Sequence, residues 1–261
     1  MKNAELLQSG AQNLAGDGAL ATELGTVLIL IVVTIGFAIE TRRRGSLSIP
    51  ALCAIAGLSI FWQEFYADWG SYLLWSPKFH MMPWGSTLWT TPDKPWFVVA
   101  SYPLFMCFAF TTMLTLNRFV VGKFPSANLF LVCLFTAAPA LFLINFALEA
   151  AAVALAGQWS YVDTLGPALI TDKGRQPILY PGIPFGIWGA VLCYLIMHRD
   201  DTGHPRFERL TSSLKFAQGW KRESMRIVAW MVTWNLTYWL LLSAPLIALR
   251  EFFGQPNALV P

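Results

Sequence analysis

Residues 128–156 read NLFLVCLFTAAPALFLINFALEAAAVALA, an unbroken apolar run whose single formal charge is Glu149. A helix rises about 1.5 Å per residue, so roughly 17 to 25 mostly apolar residues cross the hydrocarbon of a bilayer. This run is long enough to do so, and five others resemble it, at about 24–40, 49–75, 97–117, 178–198 and 225–249. The 261-residue chain is 56% hydrophobic and only 13% charged, against about 25% charged residues in a soluble domain. The expected fold is therefore all-α: a polytopic transmembrane helix bundle of about six spans. A tail over 1–23 precedes one transmembrane domain over 24–250, and a second tail covers 251–261. The runs 49–75 and 128–156 exceed a perpendicular crossing, so they tilt or continue into the interface. Nothing before Leu24 resembles a cleaved signal peptide, because one lysine there faces Glu5, Asp17 and Glu23.

Orientation follows from lysine and arginine. Arg42, Arg43 and Arg44 follow the first run, Arg118 and Lys123 the third, and Arg199, Arg206, Arg209, Lys215, Lys221, Arg222 and Arg226 the fifth. These are twelve of the eighteen basic residues. Six spans with the basic loops in the cytoplasm put both termini on the non-cytoplasmic side. The expected location is the bacterial inner (cell) membrane, as an integral protein. A re-entrant segment within 75–97 is the competing topology. The net charge of +3 points to neither nucleic acid nor an acidic partner. The partners expected are membrane lipids and a hydrophobic small-molecule substrate.

The two expected outer loops are rich in aromatics, proline and glycine. Residues 76–96 hold Trp84, Trp89 and Trp96, and residues 157–177 hold Trp159 and Tyr161. Such rings form either a belt at the membrane interface or a cap over a cavity between the helices.

Ionisable groups inside apolar runs mark functional sites, since charge is costly to solvate there. Glu64 and Asp68 are four apart and share one helical face, with Phe61 and Trp75 on it one and two turns away. Asn145 and Glu149 are also four apart, at a comparable outer depth, so the two pairs can face one another. Neighbouring carboxylates in poorly hydrated surroundings do not readily both ionise, which is one way a protein holds a general acid. The competing account is that these groups only hydrogen-bond between helices, each worth on the order of 1 kcal/mol. For Asn235, amid Trp234-Asn235-Leu236-Thr237-Tyr238-Trp239, inter-helix bonding comes first and substrate contact second.

Metal chemistry has no support. The cysteines Cys53, Cys107, Cys133 and Cys193 fall in separate runs, and His80, His198 and His204 form no ligand spacing. No Walker or Rossmann glycine signature is present either. The expected cofactor requirement is none.

Three groups of residues carry a family likeness: Phe61-Trp62-Gln63-Glu64; Asn145-Phe146-Ala147-Leu148-Glu149 with Gly157-Gln158-Trp159-Ser160-Tyr161; and Arg199-Asp200-Asp201-Thr202-Gly203 leading to Glu208-Arg209-Leu210. In order and spacing over roughly 50–250 they resemble the spirocyclase AveC family. The likeness departs at Glu64-Phe65, where the family often has Asp-Pro, at Tyr180-Pro181, where many members have Tyr-Glu, and at Thr202, where Arg is usual.

The resemblance implies acid–base cyclisation of a hydrophobic polyketide to a spiroketal, with or without dehydration, in secondary metabolism. Such chemistry needs a proton for a hemiketal hydroxyl, a stabilised oxocarbenium ion and a second hydroxyl held close. Glu64 and Glu149 are the expected acid–base pair with Asp68 assisting; Gln63 and Asn145 orient, Trp62, Trp159 and Tyr161 wall the pocket, and Asn235 is a further substrate-binding candidate. The assignment of acid and base stays open. So do two rivals, a membrane cyclase or isomerase of a terpenoid or sterol-like lipid and a non-enzymatic lipid transporter or binding protein.

Overall fold

A computed structural model describes residues 14, 16–210 and 219–261. Most of the expected 1–23 tail and Lys215 of the basic loop lie outside the described residues. Helix α1 spans Ala19–Arg44; α2, Ile49–Ile60, passes through a 3-10 turn at Phe61–Gln63 into α3, Glu64–Ser71. Helices α4 (Phe97–Lys123), α5 (Leu129–Ala154) and α6 (Gly182–Met197) follow. Helix α7, Gly219–Tyr238, widens to a π turn at Trp239–Ser243 and continues as α8, Ala244–Phe253. Five passages are long and apolar enough to cross a membrane: α1, Ile49–Ser71, α4, α5 and Gly219–Phe253. Helix α6 has 16 residues, about 24 Å of rise. The bundle of about six apolar helices is thus the one read from composition.

Local chemistry sets the helix ends. Asn128 caps α5, its side-chain oxygen accepting from the backbone N–H groups of Phe130 at 2.9 Å and Leu131 at 3.2 Å. Helix α1 stops at Gly45, whose left-handed backbone (φ 71°) returns its N–H to Thr41. Pro245 has no N–H to give to the preceding turn, and the helix widens into the π turn just ahead of it.

The expected helix over 49–75 ends early, at Ser71. Tyr72 turns into the left-handed region (φ 64°), and Leu73–Trp75 runs on as strand β1. It pairs antiparallel with β2, Trp159–Tyr161, in the register Leu73↔Tyr161 and Trp75↔Trp159. Aromatic and bulky aliphatic side chains suit a pleated, half-buried surface, and a partner edge from the second loop is at hand. Strands β3 (Ala168–Ile170) and β4 (Arg175–Pro177) form a second two-stranded ladder.

Helices α5 and α6 approach closely because α6 presents glycines. A Cβ on Gly186 would lie 2.7 Å from the Ala138 carbonyl oxygen, and one on Gly189 only 2.4 Å from the Leu141 side chain. Without a hydrophobic drive between helices in lipid, such close backbone contact supplies the packing. The bundle centre is aromatic. Trp188, Trp230, Trp234, Tyr238 and Phe110 are buried and touch ring to ring, Phe110 and Trp234 with centroids 4.6 Å apart.

Both described ends of the chain meet at one end of the bundle. There Gly16 and Asp17 donate to Gly157 and Ala156, Ser76 donates to Gln158, and Gln255 donates to the Tyr72 hydroxyl. At the opposite end Arg226 holds Glu208 at 3.1 Å and Glu223 at 2.8 Å, and donates to the Leu47 carbonyl. These ion pairs join α7 to the α1–α2 turn and to the loop after α6.

Candidate active site

Helix α3 starts directly after the 3-10 turn, and that change of helical phase sends Gln63 and Glu64 toward α4 and α7. Glu64 is half-buried. One of its carboxylate oxygens accepts from the phenol of Tyr102 on α4 and, at 3.2 Å, from that of Tyr238 on α7. The two phenol oxygens are 2.7 Å apart. One turn along α3, buried Asp68 accepts from the Trp75 indole at 2.9 Å.

Glu149, also half-buried, lies on α5 and draws donors from three places. The Asn145 amide donates at 2.8 Å, the Tyr161 phenol at 2.6 Å and the Gln176 amide of β4 at 2.8 Å. Burial, and after it the Glu149 carboxylate, push the Tyr161 phenol well above its usual range, so it remains a donor. Asp68 and Glu149 are tied to the two paired strands, Asp68 through Trp75 of β1 and Glu149 through Tyr161 of β2, and Glu64 lies one turn from Asp68. Three carboxylates from two separate passages therefore converge at the end of the bundle where the β-strands fold over. Above them Trp75 and Trp159 pack across the β1–β2 ladder with centroids 4.9 Å apart, and Trp75 leans edge-on against Phe79 and Phe97. The Trp159 indole nitrogen is buried and has no hydrogen-bond partner.

The model of the spirocyclase AveC-like family matches residues 42–259. The chain belongs to the spirocyclase AveC-like family. No curated protein and no solved structure matches it. The matched region opens at Arg42, near the end of α1, so every carboxylate and every donor just described lies in the AveC-like part. Membership supports a cyclase-type role in polyketide biosynthesis.

Of the expected site residues and the AveC-like motif residues, the structure gathers some around the acids and puts others elsewhere. Glu64, Asp68, Asn145, Glu149, Trp159 and Tyr161 belong to the cluster or its cover. Trp62 lies on the outside of the bundle, 43% exposed, stacked on Trp239 and edge-on to Tyr66. Its indole donates to Asn235, whose side chain also takes a bond from Gln63 at 2.9 Å and gives one to Ser59 at 2.8 Å. Asn235 thereby ties α2 to α7, one turn from Tyr238. The Gln63 side-chain oxygen is buried without a partner.

The loop Asp200-Asp201-Thr202-Gly203 is at the opposite end. Asp200 accepts from the Thr202 N–H and hydroxyl and the His204 N–H, and pairs with Arg209, which also pairs with Asp201. These donors, the Thr202 hydroxyl first, hold the Asp200 carboxyl well below the usual carboxylate range. The turn fixes Glu208 where the Trp230 indole reaches it at 2.6 Å. Through Glu208, which also pairs with Arg226, the turn is tied to α7.

Tyr102, Tyr238 and Gln176 were not legible as site residues. Tyr102 and Tyr238 read as ordinary span aromatics, and only their hydroxyls, which need partners in an apolar segment, hinted otherwise. Gln176 lies in a loop whose strand pairing no periodicity revealed. Among the described residues, no three histidine, cysteine or acidic side chains are grouped to hold a metal ion. Trp84, Trp89 and Trp96 are exposed at the rim, while Trp75 and Trp159 form the cover.

Proposed function

We propose that this chain is a membrane-embedded acid–base cyclase that closes a hydrophobic hydroxy-ketone of polyketide type into a spiroketal, with Glu64 and Glu149 as its proton-transfer pair. One observation carries the reading: two glutamates from separate passages, each fixed by at least two donors, share one covered end of the bundle. Side chains held this rigidly keep proton donor and acceptor in place without paying for it at the moment of reaction.

In the proposed sequence one hydroxyl of the substrate adds to its ketone to give a hemiketal. A protonated carboxyl of the pair then donates to the hemiketal hydroxyl; the C–O bond breaks and water leaves. The oxocarbenium ion faces carboxylate and the rings of Trp75 and Trp159, which stabilise a cation through charge and π-density. The second substrate hydroxyl attacks that carbon, and its proton passes to the other carboxylate. The net change is loss of one water. Asp68, one turn from Glu64, adds negative potential, and the Tyr102–Tyr238 pair holds Glu64. The cytoplasm-facing end is assigned to the arginine-rich loops, with the acids toward the far side of the bacterial cell membrane.

The test uses purified protein in detergent and a keto-diol, a straight-chain ketone bearing a hydroxyl on the fourth carbon to either side of its carbonyl. The wild type is expected to release spiroketal faster than the uncatalysed reaction, and Glu149→Gln to slow it about 10²–10⁴-fold. A Glu149→Gln variant that cyclises at the wild-type rate overturns the reading. If neither protein cyclises the keto-diol but a terpenoid or sterol-like lipid turns over, the chemistry belongs to that class instead.

A further inference from the structure

Gln176 is 2% exposed, and its two amide atoms are unequally used. The nitrogen donates to Glu149 at 2.8 Å and to the Pro177 carbonyl at 3.2 Å. These bonds also fix which way the amide faces, because a carboxylate and a carbonyl only accept. The oxygen is buried and accepts nothing from the protein. A buried acceptor left unpaired costs about 1–3 kcal/mol, so native proteins rarely retain one without a use. The Trp159 indole nitrogen is a buried donor in the same condition.

The strands relate the two atoms to the acids. Alternate residues of a strand share a face, so Trp159 points to the same side of β2 as Tyr161, whose phenol bonds Glu149. Strand β4 lies beside β2, with the Arg175 N–H on the Ser160 hydroxyl at 2.9 Å. The Gln176 amide and the Tyr161 phenol meet on the same oxygen of Glu149. An acceptor and a donor, both without protein partners, thus flank the carboxylate cluster from its cover.

From this we infer that Gln176 is a substrate-positioning residue that reads a hydroxyl group, its side-chain oxygen accepting that proton beside Glu149 while the Trp159 indole donates to a second, hydrogen-bond-accepting oxygen of the same ligand. The inference rests on the proposed cyclase reading and names the groups that would hold its substrate, a ligand that carries a free hydroxyl within reach of a carbonyl or ether oxygen. A pure hydrocarbon leaves both atoms unpaired and a fully etherified lipid leaves the Gln176 oxygen unpaired, so both are discriminated against. A site built to bond a hydroxyl rejects an analogue lacking it far more strongly than an apolar pocket rejects an extra methylene.

Binding separates this inference from turnover. Two labelled probes are dialysed to equilibrium against the full-length protein in detergent, with empty micelles as the blank. One is a straight-chain ketone with a hydroxyl on the fourth carbon from its carbonyl; the other is its methyl ether, which keeps the oxygen and loses the donor. The wild type is expected to bind the hydroxy-ketone about tenfold more tightly than the ether, as one buried hydrogen bond implies. Gln176→Met is expected to bring that ratio to near one by weakening the hydroxy-ketone alone. If Gln176→Met does not fold, Gln176→Asn, which draws the carbonyl back by one methylene, takes its place. A wild type that binds both probes equally, or neither, overturns the inference, as does a tenfold ratio that survives in the variant. None of these outcomes depends on product formation, so failure of the cyclase reading registers separately, in the keto-diol assay.

Discussion

At the scale of single residues, the site is held by hydrogen-bond donors of which all but Asn145 come from outside the helix that carries the acid they bond. Tyr161 is the clearest case. Its phenol stays protonated because burial and Glu149 oppose ionisation, and it gives Glu149 its shortest bond, 2.6 Å. Tyr161→Phe is expected to lower cyclisation about tenfold to a hundredfold while shifting thermal unfolding in detergent by only about 1–2 kcal/mol; steady-state rates and a melting curve measure both. The carboxylates and Asn145 were legible because helical spacing governs them, and a four-residue interval puts two side chains on one face. Tyr102, Tyr238 and Gln176 were not, since each meets its glutamate across the bundle or from a strand, where sequence distance carries no information. Asn235, a polar side chain within an apolar run, bonds Ser59, Trp62 and Gln63 and so links α7 to α2 and the turn after it.

At the scale of elements, apolar run length located the helices, but not the places where they change form. The run 49–75 hides a 3-10 turn and a strand, because Tyr72 reverses the chain and Trp75 finds Trp159 to pair with. The run 225–249 hides a π turn, for which Pro245 was the available sign. The α5–α6 seam yields a direct prediction. Gly186→Val places a methyl-bearing carbon against the Ala138 carbonyl, and unfolding in detergent is expected to cost about 1–3 kcal/mol less than for the wild type. The Asp200 turn yields another. Its carboxyl is depressed in the folded protein, so the stability it contributes is complete above the ordinary carboxylate value of about 4 and is lost as pH falls through the depressed one. Protection of the amides over 199–210 from exchange, taken relative to an unstructured peptide at the same pH, should therefore fall on acidification below about pH 4, and Asp200→Asn should show the lowered protection already at neutral pH.

At the scale of the whole molecule, the bundle divides its labour between two ends. One is pinned by Arg226, Glu208, Glu223 and the Asp200 turn; the other gathers the acids under Trp75 and Trp159 and collects both described chain ends. The proposed orientation, which rests on the arginine-rich loops, turns the first toward the cytoplasm. In a Cys107→Ser background, a membrane-impermeant thiol reagent added to intact cells should modify Ser86→Cys and spare Thr202→Cys, and the reverse pattern would invert the bundle. The central claim is that Glu64 and Glu149 act as one proton-transfer unit, and groups that act as a unit are strongly non-additive. The measurement that tests it most directly is the keto-diol cyclisation rate of Glu64→Gln, Glu149→Gln and the double variant. The account predicts that the double variant is no slower than the slower single one. Penalties that multiply, or single variants that retain the wild-type rate, would contradict it.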